Sequence, residues 1–201
     1  MSMSFDIFPT NAYIPKCEEL KKLSQEMLRD YFVKENINFD IFLEFNVKDI
    51  VSYKNINKDT LITNEKEYLS FNINKIGETL VFYRKITDID KKFWEEEIKL
   101  NEKANELKEK LAINIKLGYM WNVKRTMNQP GIVSIYYGFL AIALGILTDG
   151  ILYSDDGAWD YNSFPIEAEE FKMEYLNFHK LQNKNIEEYI KKCIYSLKQY
   201  R

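Results

Sequence analysis

From Ile132 to Leu147 nearly every residue is apolar, and that run limits what the rest of the chain can do. A helix apolar on all sides leaves no face for water and must be enclosed by protein or lipid. Pro130 stands just before the run and fits a first helical position, where its missing N–H costs nothing. Ser134, Gly138, Ala141 and Gly145 fall on one stripe of such a helix, where small residues let another backbone come close. Glycine inside a helix costs roughly 0.5–1 kcal/mol relative to alanine, so two of them point to packing. A lipid-spanning helix needs about 20 apolar residues. This run is shorter, and neither an aromatic belt nor a basic cluster brackets both its ends. The expectation is a buried core helix near 131–148 and no membrane span.

Such a helix needs a sheet to lie on, and the flanking sequence supplies strands. Phe39, Ile41, Leu43, Phe45 and Val47 alternate with polar residues, the period of a half-buried strand. Leu69, Phe71 and Ile73 repeat the pattern, and after a turn at 74–78 the run from Leu80 to Tyr83 reads as the hairpin partner. Phe5 to Phe8 forms a short strand stopped by Pro9. Ile115, Leu117, Tyr119, Trp121 and Val123 alternate again, which predicts a strand entering the central helix. Other segments read as helices: Pro15 to about Glu35, a long charged stretch from Asp88 or Asp90 to Leu111, one opened by Phe164 and Pro165, and one along Ile186, Ile190, Cys193 and Leu197. Gly150 is suited to a left-handed cap after the central helix, and Ile151 to Tyr153 reads as a short buried strand. The fold class is α+β, an antiparallel sheet with helices packed on one face. Residues 1–201 form a single domain, with the C-terminal helices about 166–201 belonging to it or forming a small appendage.

Charge and cysteine usage exclude several classes of function. Net charge is −3, with acids and bases spread along the chain and no basic stripe, so nucleic-acid binding is not expected. The acidity is equally too mild for a DNA mimic. Cys17 and Cys193 lie near opposite ends without metal-type spacing and read as buried free thiols. The N-terminus lacks a basic region followed by a long apolar run, so no secretory signal is read and a cytoplasmic location is expected.

Chemistry has few places to sit. His179 is the lone histidine, and nothing around it resembles a nucleophile motif. Glycine-rich phosphate loops are absent. The one concentration of functional groups is Asp149, Asp155, Asp156 and Asp160 with Trp159. Carboxylates so placed serve as turn and capping groups, as a partner-binding surface, or as oxygen ligands for Mg²⁺ or Ca²⁺. Their spacing does not match an EF-hand loop. Trp159, flanked by acids, reads either as a lid on the core or as an aromatic anchor ringed by charge.

The segment from Thr148 to Tyr161, with Phe164 and Pro165 following, resembles a signature in a group of small bacterial cytoplasmic proteins, some of which look like immunity proteins of toxin systems. The resemblance spans about Ile135 to Tyr175. It implies neutralisation of a toxin by stoichiometric binding, with no catalytic residue to carry over. The functional expectation is thus a non-enzymatic protein-binding protein, plausibly such an immunity protein, which contacts a protein partner through Asp155, Asp156, Trp159 and Asp160. No cofactor and no metal enter that reading, because an acidic loop suits capture of a basic face. The alternative is a divalent-metal-dependent enzyme built on Asp149, Asp155, Asp156 and Asp160.

Overall fold

The computed structural model describes residues 2–126, 128–154, 164–177 and 184–198. Eight strands form one sheet: β1 (Ser2–Phe8), β2 (Leu43–Asp49), β3 (Asn55–Ile56), β4 (Glu67–Ile73), β5 (Gly77–Lys85), β6 (Tyr119–Thr126), β7 (Ile151–Tyr153) and β8 (Ile166–Glu167). Their order is β3-β2-β4-β5-β6-β1-β7-β8, and every pairing is antiparallel. Among the described residues seven helices accompany them: α1 (Cys17–Lys34), α2 (Asp88–Leu100), α3 (Glu102–Glu106), α4 (Lys108–Leu117), α5 (Gly131–Leu147), α6 (Ala168–Glu174) and α7 (Lys184–Lys198). The architecture is α+β, as the patterning implies.

Alternation fixes the two faces of the sheet. Val47, Leu69, Val81, Val123 and Phe5 stand side by side across five strands, all of them buried. Phe5 meets Tyr137 of α5 with ring centroids 4.9 Å apart, so this inner face carries the central helix. Every residue of α5 from Ile132 to Gly145 is buried. Its small-residue stripe is used as expected. A Cβ at Gly138 would fall 2.0 Å from the Tyr175 ring, and one at Gly145 would fall 2.6 Å from Ala168 and 2.8 Å from Leu152. The stripe therefore seats α6 and β7. Among the described residues no helix is long and apolar enough to cross a membrane.

The remaining helices enclose α5. Ser24 of α1 shares a buried hydrogen bond with Tyr136, 2.9 Å, and Ser134 shares a partly buried one with Tyr189 of α7, 2.6 Å. Phe171 of α6 and Tyr175 just after it, with Ile190, Cys193, Ile194 and Leu197 of α7, belong to the same core as the sheet. Both cysteines are free and buried.

Several boundaries differ from the sequence reading, each for a local reason. The alternation at Ile115 and Leu117 lies in α4, not in a strand. Gly118 takes φ +78 as the helix cap, and the strand starts only at Tyr119. The long charged helix is broken at Asn101, whose side chain accepts from the N–H of Lys103 (3.0 Å) and Ala104 (3.4 Å) and so starts α3. Strand β2 begins at Leu43 rather than Phe39, because the Asn74 side chain bonds the Phe42 N–H and the Asp40 carbonyl instead. Asn74 and Lys75 both have positive φ, the two central residues of a type I′ hairpin turn. After α5 it is Asp149, not Gly150, that takes the left-handed position, φ +48. The Gly150 N–H then reaches back to the Gly145 carbonyl, 2.7 Å, the closing bond of a Schellman motif. Gly150 is needed for space, since a Cβ would lie 3.1 Å from the Phe8 carbonyl oxygen. Finally, Pro165 leads into β8 before α6 begins.

Candidate functional site

Among the described residues, the outer face of the sheet is covered at one end only. There Phe8 and Tyr153 project away from α5 and meet Trp94 of α2, with ring centroids 5.0 and 5.4 Å away. The helix is held at its start by Thr87, which caps it reciprocally with Asp90, and by an ion pair between Arg84 and Asp90, 2.5 Å. Burial raises the Asp90 pKa, but the Thr87 bonds and the Arg84 charge outweigh it and hold the carboxyl below its ordinary value. Between α2 and the sheet lies a cleft of about 570 Å³, lined among others by Asp6, Phe82, Phe93, Trp94, Asn122 and Tyr153.

Among the described residues, the outer face beyond the cleft is open. The register sets Lys48, Tyr68, Phe82, Asn122, Asp6 and Tyr153 in one row across six strands. Tyr68 and Phe82 stack with ring centroids 5.7 Å apart, and both are only partly buried. Lys48 lies 5.9 Å over the Tyr68 ring and Lys124 lies 5.4 Å over Phe82, so the cations of this face rest on its aromatics. Burial raises the Tyr68 pKa, with Glu78 and Tyr53 adding to it; Tyr53 lies in the turn that follows β2, its N–H bonded to the Asp49 carbonyl at 2.9 Å. Tyr53 is 71% exposed and Ile89, on the cleft wall, 80%. Partly exposed aromatic and aliphatic side chains gathered this way, with charges at the edges, have the composition of a protein-binding patch.

A second cluster lies on the inner face. Arg125 is 4% exposed, and its guanidinium sits over the rings of Tyr137 (4.9 Å) and Tyr189 (5.6 Å). Nη2 donates to the Met3 sulfur, 2.6 Å, and Nε has no partner among the described residues. Burial opposes the charge, yet the tyrosines more than offset it and the net pKa shift is upward. The cluster ties α5, α7 and the sheet together, with Tyr189 at its solvent edge.

Of the residues singled out from sequence, Asp155, Asp156, Trp159, Asp160 and His179 lie outside the described residues. Asp149 is described, and it serves structure. Lys110 donates to it at 3.0 Å and the Thr10 hydroxyl at 3.1 Å, which secures the left-handed end of α5. Among the described residues no group of three or more His, Cys, Asp or Glu is arranged to hold a metal ion. Sequence reasoning missed the outer-face row. Its signal was present, because Tyr68, Phe82 and Lys124 occupy the positions that alternate with the buried ones. No family model, curated protein or solved structure matches this chain.

Proposed function

We propose that this chain is a protein-binding protein that acts by stoichiometric association, as a bacterial immunity protein does when it occupies its toxin. The open outer face, with Tyr53, Tyr68, Phe82 and Ile89 as anchors, is the contact surface. The observation that carries the reading is that row of stacked, partly exposed aromatics on a rigid antiparallel sheet. Rigid rings lose little conformational entropy on docking and dominate interface energetics. Asp155, Asp156, Trp159 and Asp160 belong to the same proposal, since they follow directly in sequence on Tyr153 and Ser154, and Tyr153 lines the cleft. On this reading the protein works in a bacterial cytoplasm, where Cys17 and Cys193 stay reduced.

The test is affinity capture from the native host with three baits: wild type, Tyr68→Ala/Phe82→Ala, and Asp155→Asn/Asp156→Asn/Trp159→Ala. One partner, re-formed as a 1:1 complex from the purified proteins and lost with either variant, is the expected result. A partner that is toxic when expressed alone would support the immunity role. A complex that survives both variants would remove this surface from the account.

A further inference from the structure

On the reading that the outer face binds a protein, we infer that the cleft between α2 and the sheet receives an arginine side chain of the partner. Its floor holds Asn122, 9% exposed, whose Nδ2 donates to Asp6. A carboxylate only accepts, so Asp6 fixes the orientation of this amide and turns the oxygen away from itself. That oxygen, Oδ1, is buried and has no donor among the described residues. A buried acceptor left unpaired is costly, and a donor that reaches it from the cleft removes that cost.

The walls select which donor. Phe82, Phe93, Trp94 and Tyr153 present rings to the cleft, and ring faces attract cations. Three carboxylates, Asp6, Glu65 and Asp90, line it against two cations, Arg84 and Lys124. Both cations are engaged: Arg84 with Asp90 at 2.5 Å and Lys124 over Phe82. A guanidinium combines flat faces for stacking with in-plane N–H groups for Asn122 and a carboxylate, which an ammonium does not.

The probe is N-acetyl-arginine amide, titrated into the full-length protein by amide NMR, with the uncharged citrulline derivative alongside. Shifts confined to Phe82, Asn122 and Tyr153, about tenfold weaker with citrulline and lost in Asn122→Leu, are expected. Phe82→Leu provides a second variant should Asn122→Leu lower stability. Equal responses to the two probes, or none at tens of millimolar, would overturn the assignment. A silent cleft beside a complex that still depends on Tyr68 and Phe82 would sink the arginine pocket alone. A responsive cleft with no such dependence would sink the protein-binding reading alone.

Discussion

Arg125 shows how a buried charge is met by its surroundings. Among the described residues its guanidinium lies over two tyrosine rings, donates to the Met3 sulfur and hydrogen-bonds the Tyr137 side chain, although removing an ion from water costs several kcal/mol. Those groups more than offset the burial and hold the Arg125 pKa above its ordinary value. Arg125→Met is therefore expected to lower the melting temperature by several degrees, and thermal unfolding measures it. An unchanged or raised melting temperature would mean that the rings do not repay the burial. Asp90 lies at the other extreme. Its carboxyl is held below the ordinary value, so the folded state binds its proton less readily than the unfolded chain does. The stabilisation is complete above an unfolded pKa of about 3.9 and is lost as pH falls through the folded value. Asp90→Asn should cost about 1 kcal/mol at neutral pH, in the range of a lost cap. It should also flatten the acid limb below about pH 4, as denaturant titrations at several pH values would show. Cys17, pushed up to about 12 by burial, should react with a disulfide reagent only after unfolding.

Among the elements, α5 was the most legible in sequence, because a run without polar residues admits few structures and its glycines mark where neighbours come close. Gly138→Ala tests that geometry, since the added methyl would strike the Tyr175 ring, and Tyr175 is fixed by its hydroxyl donating to the Ile135 carbonyl at 2.7 Å. A loss of about 1–3 kcal/mol is expected from overpacking, measured by urea unfolding. No loss would mean that α6 slides freely. The hairpin β4–β5 was legible for the same kind of reason, through its alternation and turn residues. What misled were competing local signals. Two alternating residues before Gly118 looked like strand but belong to α4, and Asn101 capped a new helix inside a charged run. The candidate site was harder to see. The acidic segment draws attention by composition, whereas the outer row comes from six strands spread along the chain and exists only once the register is known.

At the scale of the whole molecule, the two faces of the sheet divide the work. The inner face is spent on α5, and α1, α6 and α7 close over it, so its large side chains build stability. Among the described residues the outer face is covered only where Trp94 meets Phe8 and Tyr153, and the rest presents rings and charges. That asymmetry is the central claim, and the affinity of the purified partner complex tests it most directly. Calorimetry would compare wild type with Phe82→Ala on the outer face and with Val33→Ala, an exposed position on α1. Phe82→Ala should weaken binding about thirtyfold, the effect of a hot-spot residue worth about 2 kcal/mol, while Val33→Ala leaves it unchanged. The reverse pattern, with Val33 sensitive and Phe82 silent, would place the partner on the helical side and contradict the account.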